Sequence, residues 1–326
     1  MSNSFWKDRR VFVTGANGFL GGHLCEELVA LGADVYGLVR DDVPTAYFIE
    51  KGIDKKITQI RGDLRDAFLM ERVFNEYEID TCFHLAAQPI VTIANRSARS
   101  TFESNIAGTW NVLEAARRYE GTRAVIVASS DKAYGDSDIL PYVEDQPLAA
   151  KNPYDLSKTC TDLLAQSYFH TYQVPTVVSR CGNFYGPGDL NWSRIVPGGF
   201  RSFINGETLE VRSDGSPVRD YFFVKDVVNA YLVLGEHAEE EGVVGQAFNF
   251  GTGEHVSVLE LIEKMKEAAG KPDAEINVTG KAQNEIDAQY LSYEKAQKQF
   301  GWEPQTSLED GLKQTFEWYK NYTQQA

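Results

Sequence analysis

The chain has 326 residues, of which 43% are hydrophobic and 24% are charged, and this is the composition of an ordinary globular protein. Its formal net charge of -15 at pH 7 argues against a surface that binds nucleic acid. No run of apolar residues reaches the ~18 needed for a membrane span, and the opening residues, M-S-N-S-F-W-K-D-R-R, lack the apolar core of a signal peptide. We therefore expect a cytoplasmic protein that binds neither nucleic acid nor membranes.

The cysteines and two of the histidines are expected to be structural. The cysteines lie far apart, without a C-x-x-C pair or a histidine at ligand spacing, so they are expected to be buried free thiols and not a disulfide or metal site. They are Cys25, Cys82, Cys160 and Cys181. His23 and His84 lie in apolar surroundings and are expected in or beside the core.

The first predicted elements are a strand, a glycine-rich turn and a helix. The strand, 10–14, runs directly into Gly15, and Gly18 and Gly21 follow at the start of a helix predicted over 19–31. Glycine is needed there because the backbone turns tightly, a pyrophosphate approaches it closely and the helix packs near the strand. The helix N-terminus offers its N–H groups to the phosphates. The expected dinucleotide contacts here are Gly15, Asn17, Gly18, Phe19, Leu20 and Gly21.

The second predicted strand, 34–39, ends just before Arg40, where the side chain distinguishes between two cofactors. An acidic residue at this place binds the ribose hydroxyls of NAD, whereas an arginine pairs with the 2′-phosphate of NADP. Arg40 slightly favours NADP. Asp41 or Asp42 would serve NAD if the strand ended one residue later.

The candidate catalytic groups lie within residues 123–158. A short buried strand at 125–127 places Ser130, Asp131 and Lys132 at its carboxyl end, where open α/β sheets bind their ligands. Tyr154 and Lys158 follow at positions i and i+4 of a predicted helix, so their side chains leave the same face. A positive charge beside a phenol lowers the pKa of the phenol, and such a pair can take a proton from an alcohol while its hydride leaves.

Together these motifs resemble the extended short-chain dehydrogenase/reductase family, over nearly the whole chain. The residues that carry the resemblance are G-A-N-G-F-L-G at 15–21, Ser130 and Tyr154-x-x-x-Lys158. It implies an α/β fold with a Rossmann doubly wound parallel sheet, a smaller interwoven C-terminal substrate lobe and a tightly bound NAD or NADP. Asp131-Lys132 resembles the sugar-nucleotide 4,6-dehydratase group, which carries an acid and a base where 4-epimerases usually carry uncharged residues.

Within that group the chain most resembles the CDP-glucose 4,6-dehydratase type. H-L-A-A-Q-P at 84–89 and the segment 186–197 carry this resemblance. G-F-L-G-G-H-L at 18–24 departs from it, and R-D-Y-F-F-V-K-D at 219–226 looks more like dTDP-sugar dehydratases and epimerases. A CDP-glucose substrate is favoured, and GDP-, UDP- and dTDP-sugars stay open. The CDP-glucose type generally uses NAD, which opposes the indication from Arg40.

The resemblance also implies catalytic roles. Tyr154, as a phenolate stabilised by Lys158 and oriented by Ser130, removes the 4-hydroxyl proton while hydride passes from C4 to the nicotinamide. Asp131 protonates the departing 6-hydroxyl. Lys132 removes the C5 proton or, alternatively, stays charged and stabilises the developing enolate. Hydride then returns to C6, and the net change is the loss of one water.

The same resemblance extends to residues that hold the cofactor. Asp63 is expected at the adenine ring, although Asp63 or Asp66 could instead cap the following helix. Asn105 is expected to brace the active-site strand. Small residues after a fourth strand, 80–85, let the cofactor lie against the backbone. The further expected cofactor contacts are Leu64, Ala86 and Ala87, besides Tyr154 and Lys158.

Binding of the nucleotide sugar is expected from residues that lie mostly in the second half of the chain. These are Gln88, Asn183, Arg194, Arg212 and Arg219. Arg219 resembles the family arginine that meets the diphosphate, and the alternative is a salt bridge to Asp220 or Asp226.

The expected organisation is a dinucleotide-binding domain, 1–180, with a later strand near 246–251, and a substrate lobe formed mainly by 181–326. The family commonly dimerises by pairing the helices at 97–119 and 154–172 into a four-helix bundle. Apolar contacts there are expected from Leu163, Leu164, Tyr168 and Tyr172, unless these side chains face only their own core. Two other functions stay open, a 4-epimerase using the same tyrosine and a non-catalytic NAD(P)-binding protein.

Overall fold

The computed structural model describes residues 4–281 and 286–325. The chain divides into two compact units, each assembled from separate stretches of sequence. The described residues of the first unit lie within Met1–Ser137, Glu144–Arg180 and Val228–Asn249, and those of the second lie within Asp138–Val143, Cys181–Val227 and Phe250–Ala326. The expected assignment of 1–180 to the dinucleotide and of 181–326 mainly to the substrate stays a prediction.

Strands and helices alternate along most of the described chain. The strands are β1 Arg10–Thr14, β2 Asp34–Val39, β3 Thr58–Arg61, β4 Thr81–His84, β5 Ala124–Ala128, β6 Thr176–Cys181, β7 Asn183–Tyr185, β8 Leu209–Val211, β9 Val218–Phe223, β10 Ala247–Phe250, β11 His255–Ser257, β12 Ile276–Val278 and β13 Ala288–Gln289. The α-helices are α1 Phe19–Ala30, α2 Tyr47–Glu50, α3 Ala67–Glu76, α4 Val91–Arg96, α5 Ala98–Phe102, α6 Gly108–Arg118, α7 Pro153–Tyr172, α8 Ile195–Asn205, α9 Val224–His237, α10 Val258–Ala269, α11 Glu294–Phe300 and α12 Leu308–Gln325. A π-helical segment, Glu103–Ala107, joins α5 to α6, and 3-10 turns occupy Ile53–Lys55 and Asp131–Tyr134.

Seven strands form one sheet, in the order β10-β6-β5-β4-β1-β2-β3. Neighbouring strands from β3 to β6 are parallel, and Val11 of β1 lies opposite both Val35 of β2 and Thr81 of β4. Runs such as V-F-V in β1 and V-I-V in β5 are fully buried, as expected for strands covered on both faces. The order reverses between β1 and β4, which is where such sheets bind ligands at their carboxyl edge. The predicted Rossmann-type α/β fold is confirmed.

The glycine-rich turn after β1 is built so closely that only glycine fits at two positions. Gly15 has a positive φ of 71°, and a Cβ atom on it would lie 3.0 Å from the Cα atom of Ala86, just beyond β4. A Cβ atom on Gly21 would lie 2.0 Å from the carbonyl oxygen of Gly15. Helix α1 therefore packs directly against the turn, as the sequence pattern predicts.

Two segments differ from the expected secondary structure. The helix predicted over 97–119 is interrupted by the π-helical segment, in which the side chain of Asn105 accepts the N–H of Gln88 after β4. Strand β7, which the sequence analysis does not predict, follows β6, and its Asn183 lies opposite Tyr221 of β9 in a parallel pair. Both deviations are local and leave the sheet order unchanged.

The second unit has its own small sheets and its own core. Strand β9 pairs with β7, β11 and β13, and β8 pairs with β12. Helix α10 begins with a capping box between Ser257 and Glu260 and ends at Gly270, which has a φ of 61°. Helices α8, α10 and α12 supply much of the buried cluster, including Phe200, Leu261, Met265, Leu312 and Tyr319.

The described residues also locate the cysteines. All four are free thiols; Cys25, Cys82 and Cys181 are buried and Cys160 is half-buried. Across residues 4–281 and 286–325, none of the helices combines the length and the apolar character needed to cross a lipid bilayer.

Candidate active site

The carboxyl end of β5 turns directly into the candidate acid–base pair. The hydroxyl of Ser130 accepts the N–H of Lys132 at 3.2 Å and donates to Oδ1 of Asp131 at 2.9 Å. The ammonium of Lys132 lies 3.5 Å from the same carboxylate oxygen, with side-chain exposures of 23% for Lys132 and 3% for Asp131. The pair is thus largely shielded from water, where charge interactions are stronger than at an open surface.

Helix α7 carries Tyr154 and Lys158, and it is bonded to the end of β5. Nζ of Lys158, a residue that is 5% exposed, donates to the carbonyl oxygen of Ala128 at 2.7 Å. The hydroxyl of Ser129 donates to the carbonyl of Lys158 at 3.4 Å, and that of Thr159 donates to the carbonyl of Ala133 at 3.0 Å. The structure therefore gathers four of the five predicted catalytic residues, Ser130, Asp131, Lys132 and Lys158, at one strand end. Tyr154 lies one helical turn before Lys158.

Asp155 is a buried carboxylate in this region that the sequence analysis missed. It is 8% exposed, and its carboxylate accepts a hydrogen bond from Asn152 at 3.2 Å. Burial raises the pKa of Asp155 above its ordinary value; the bond from Asn152 and the charge of Lys132 oppose this rise, and the charge of Asp131 adds to it. Two carboxylates thus act on one ammonium. The sequence signal was an acid in the first turn of a helix, three residues before Lys158.

Asn105 is buried and joins the loop after β4 to α7, as expected for a brace. Its Oδ1 accepts the N–H of Gln88 at 2.7 Å, and its Nδ2 donates to the hydroxyl of Ser157 at 2.9 Å. The side chain of Gln88, predicted to bind substrate, donates to the hydroxyl of Thr101 at 3.2 Å and accepts the N–H of Ile90 at 2.6 Å. In this structure Gln88 therefore shapes its own loop.

His84 lies in a buried chain of hydrogen bonds that fixes its tautomer. The hydroxyl of Thr14 accepts the N–H groups of Leu85 and Ala86 at 3.0 Å each, so it donates its proton to Nδ1 of His84 at 2.9 Å. Nε2–H of His84 then donates to the hydroxyl of Thr109 at 2.9 Å. Burial, together with the positive charge of Lys158, lowers the pKa of His84 to about 3. His84 is thus a neutral structural residue, as expected.

The edge of the sheet that would meet the adenosine ribose carries paired charges. Nε of Arg40 donates to the carboxylate of Asp41 at 2.7 Å, and Arg61 forms an ion pair with Asp42. The side chain of Asn17, from the glycine-rich turn, donates to the carbonyl of Asp41 at 2.8 Å. Strand β2 ends just before Arg40, as predicted, so both arginines at this edge meet a carboxylate.

Asp63 is held by a neighbouring arginine and does not cap a helix. The guanidinium of Arg65 donates to both carboxylate oxygens of Asp63, at 3.1 and 2.9 Å. Although partial burial acts in the opposite direction, these bonds and the charge of Arg65 hold the pKa of Asp63 below its ordinary value. Asp66 caps α3 by accepting the N–H of Leu69 at 3.0 Å. Leu64, also expected near the cofactor, is buried.

The remaining predicted substrate residues belong to the second unit. Arg194, just before α8, donates to the buried carboxylate of Asp189 at 2.9 Å. Arg212 contacts the carbonyl of Ser193 at 3.5 Å, and Arg219 on β9 donates to the carbonyl of Val218 at 2.8 Å. Asn183 is half-buried on β7.

The carboxylates suggested as alternative partners of Arg219 have other bonds. Asp220 accepts the N–H of Thr252 at 3.0 Å and its hydroxyl at 2.7 Å. Asp226 accepts the N–H of Thr306 at 2.9 Å. The diphosphate role of Arg219 stays a prediction.

A nicotinamide dinucleotide fits the turn after β1. Helix α1 begins after Gly18 without a capping side chain, which leaves N–H groups of its first turn for phosphate oxygens. A Cβ atom at Gly18 would lie 3.1 Å from the carbonyl of Gly15, so the glycines keep the approach open. Ala86 and Ala87, which follow β4, present only small side chains. The residues that would hold the group here are Gly15, Asn17, Gly18, Phe19, Leu20, Gly21, Ala86 and Ala87.

A family model described as GDP-mannose 4,6 dehydratase matches residues 12–315. The chain belongs to this family. A CDP-glucose 4,6-dehydratase of Salmonella typhimurium is 30% identical, over 98% of this chain and 93% of that protein. The solved dTDP-glucose 4,6-dehydratase DesIV of Streptomyces venezuelae, with NAD bound, is 28% identical with a TM-score of 0.87, over 96% of this chain and 97% of that one. A solved UDP-glucose 4-epimerase of Thermotoga maritima is 30% identical with a TM-score of 0.88, over 96% and 99%.

The neutral state of His84 predicts how stability depends on pH in this family member. The pKa of His84 is about 3 in the folded state against an ordinary 6.5. Between pH 6.5 and pH 3 the unfolded state therefore binds a proton at this residue that the folded state does not bind. The contribution of neutral His84 to the free energy of unfolding is complete above pH 6.5. It falls towards pH 3 by up to about 1.4 kcal/mol per pH unit. Urea unfolding of wild type and His84→Gln between pH 5 and 8 should give the shallower slope for the variant. Equal slopes would contradict the assignment.

Proposed function

We propose that this protein removes water from an NDP-hexose to give the NDP-4-keto-6-deoxyhexose, with CDP-glucose as the substrate. The 4,6-dehydration reaction is supported by the family match and by the dehydratase relatives. The observation that carries it is the Asp131–Lys132 pair at the end of β5, in which Asp131 is buried, next to the helix that presents Tyr154 and Lys158. Similarity to a CDP-glucose dehydratase over nearly the whole chain supports the choice of nucleotide. The cytoplasmic location expected from the sequence stays a prediction.

The first step needs a base at the 4-hydroxyl. Tyr154 takes that proton, and the Lys158 ammonium stabilises the negative charge on the phenol oxygen. The bond from Lys158 to the Ala128 carbonyl fixes the ammonium, and Ser130 orients the phenol of Tyr154. A bound nicotinamide cofactor supplies the hydride acceptor for C4 and the hydride donor for C6. Loss of a proton and a hydride leaves a 4-keto sugar with an acidic C5 proton.

The second step eliminates water across C5 and C6. Lys132 takes the C5 proton, Asp131 gives a proton to the departing 6-hydroxyl, and the product is an enone. Hydride addition at C6 and a proton at C5 then complete the 4-keto-6-deoxyhexose. Atoms balance with the loss of one water and no net oxidation.

Asp131 and Lys132 must exchange one proton before this step. In the ion pair the carboxylate has no proton to give and the ammonium can accept none. Transfer of one proton across the 3.5 Å contact converts Asp131 to an acid and Lys132 to a base together. If Lys132 keeps its proton, it can only stabilise the enolate.

For the nucleotide we propose ligands in the second unit. Arg212 and Arg219 supply guanidinium groups for bidentate bonds to the diphosphate. Asn183 adds a neutral contact to the same group. Arg194, whose position is fixed by the buried Asp189, completes the cationic set.

A 4-epimerase is the second candidate, favoured by the similarity to the UDP-glucose 4-epimerase. Such an enzyme needs the Tyr154 chemistry but no acid and base at C5 and C6. Asp131-Lys132 therefore argues for the dehydratase. A non-catalytic NAD(P)-binding protein would not need Tyr154 and Lys158, and both are present.

The test of function is incubation of the purified protein with CDP-, dTDP-, UDP- and GDP-hexoses, with NAD and with NADP. We expect one sugar nucleotide, CDP-glucose, to lose the mass of one water. Asp131→Asn should reduce this turnover by about a hundredfold or more, because a general acid is removed.

The exposed Asp136→Asn, five residues along the chain, is the control and should keep full turnover. An unchanged mass with a sugar inverted at C4, seen by proton NMR, would establish the epimerase. Full activity of Asp131→Asn would point the same way. Bound cofactor without change to any sugar would favour the binding protein.

We also propose that the cofactor is NAD, since a 2′-phosphate would meet Asp41 and Asp42 beside the two arginines.

The dinucleotide released on denaturing the purified protein, identified by mass, should be NAD. Replacing both aspartates by serine leaves Arg40 and Arg61 to attract a phosphate. It should shift the ratio of bound NADP to NAD upwards by about tenfold or more. Asp273→Ser, at an exposed site in the second unit, should leave the ratio unchanged. Wild type that retains NADP would contradict the proposal.

Finally, we propose a homodimer through α6 and α7. Trp110 is 46% exposed on α6, and Leu163 and Tyr172 are 53% and 55% exposed on α7. Leu164 and Tyr168, also named in the sequence analysis, pack instead against the core of their own chain. Exposed large apolar side chains on two packed helices are typical of an interface.

Light scattering at micromolar concentration should give a dimer for wild type and a monomer for Leu163→Arg. Ile49→Arg, at a 42% exposed position on α2, should remain a dimer. A monomeric wild type would reject the interface.

A further inference from the structure

The first unit contains a buried ion pair that none of the proposed steps uses. The guanidinium of Arg180, on β6, donates to both carboxylate oxygens of Asp162, on α7, at 2.8 and 3.0 Å. The two side chains are 3% and 0% exposed. The same guanidinium donates to the phenol oxygen of Tyr134 at 2.7 Å. Tyr134 is the last residue of the 3-10 turn that begins with Asp131.

The network is closed by two more groups. The phenol of Tyr134 donates to Oδ1 of Asn249, on β10, at 2.7 Å, and burial raises its pKa to about 12, so it keeps its proton. The N–H of Asn249 donates to the carboxylate of Glu144 at 2.8 Å, and Arg180 donates to the carbonyl of Glu144 at 3.2 Å. The end of the turn is therefore bonded to the sheet and to α7 at once.

Asp162 lies on the catalytic face of its helix. Tyr154, Lys158 and Asp162 occupy positions i, i+4 and i+8 of α7, so their side chains form one row. Through Arg180 and Tyr134, the third member of this row is connected to the turn that carries Asp131 and Lys132. One chain of buried bonds thus joins the helix of the hydride step to the turn of the elimination step.

We propose that Asp162, Arg180 and Tyr134 are positioning residues that set the Asp131–Lys132 turn relative to Tyr154 and Lys158. A buried ion pair is poor evidence for stability, since apolar residues of similar volume often stabilise as well. Its directional bonds fix distances, which apolar packing does less well. This inference rests on the proposed dehydration.

Loss of the bonds among Asp162, Arg180 and Tyr134 should slow the elimination of water more than the hydride step. Lys158 has its own bond to Ala128, so Tyr154 and Lys158 keep their place when Tyr134 is altered. The turn of Asp131 and Lys132 is held by Ser130 before it, by the bond from Thr159 to Ala133 within it and by Tyr134, its last residue, so loss of the Tyr134 bonds removes one of its anchors.

The experiment uses Tyr134→Phe, which keeps the ring over Arg180 and removes only the phenol oxygen. We expect kcat for water loss to fall about tenfold, with KM for the nucleotide sugar nearly unchanged. In a single turnover the variant should accumulate reduced cofactor, seen at 340 nm, because hydride leaves C4 faster than water leaves C5 and C6. Wild type run in parallel should show little accumulation.

Tyr47→Phe is the matched control. Tyr47 is also buried and donates one hydrogen bond, to Glu26 at 2.6 Å, on α1 and not at the turn. Tyr47→Phe should lower the melting temperature as much as Tyr134→Phe does. It should not change kcat and should not show the absorbance transient at 340 nm. A Tyr134→Phe enzyme with wild-type kcat and no transient overturns the positioning role while the proposed function stands. Wild type that removes water from no sugar nucleotide overturns both.

A second variant tests the ion pair itself. Asp162→Leu combined with Arg180→Met removes both charges, so no unpaired charge stays buried and the fold is kept. We expect the same slow elimination and the same transient at 340 nm. A folded double variant with wild-type kcat overturns the proposal even if Tyr134→Phe fails to fold.

Discussion

The bond between the Lys158 ammonium and the carbonyl of Ala128 is the interaction on which the catalytic region depends. An ammonium that is 5% exposed is costly unless polar atoms replace its water, and the end of β5 supplies such an atom in a fixed place. The bond attaches α7 to the strand that leads into Asp131 and Lys132. It therefore fixes the position of the charge beside Tyr154 relative to the strand end from which the turn of Asp131 and Lys132 begins.

This attachment explains an unusual helix. The buried residues of α7 are mainly polar and charged, while Leu156 and Leu163 are exposed at 36% and 53%. In an ordinary surface helix the apolar stripe faces inwards. Here the inward face holds charged groups, Asp155, Lys158 and Asp162. Leu156 and Leu163 are directed outwards, where the second copy of the proposed dimer would cover them.

The sheet, the glycine-rich turn and the Tyr154–Lys158 pair could be predicted from the sequence, whereas the buried Asp155 could not. The sheet could be predicted because apolar strands such as V-F-V and V-I-V alternate with helices, and the turn after β1 because only glycine fits at Gly15 and Gly21. Tyr154 and Lys158 were found from their spacing. Asp155 was not, because in sequence an acid in a first helical turn resembles an ordinary solvated residue. What sets Asp155 apart is its burial. Burial depends on how the helices and strands pack, and a local sequence pattern does not show that.

The π-helical segment and the Arg180 network escaped prediction for a related reason. Asn105 and Arg180 each act through partners tens of residues away, such as Ser157 at a separation of 52 and Tyr134 at 46. Sequence reasoning could place Asn105 only by resemblance and gave Arg180 no role. The geometry of hydrogen bonds across elements is set by the assembled fold, so such residues become visible only when it is known.

A 3-10 turn suits an acid and a base that must act on neighbouring carbons. With 3.0 residues per turn, consecutive side chains diverge by about 120°, so Asp131 and Lys132 can address the 6-hydroxyl and the C5 proton separately. The ammonium of Lys132 remains 3.5 Å from the carboxylate of Asp131, within ion-pair distance. An α-helix would spread consecutive residues similarly but needs more length to hold its shape. A single turn held at Ser130 and Tyr134, and by the bond from Thr159 to Ala133, provides this arrangement directly after a strand.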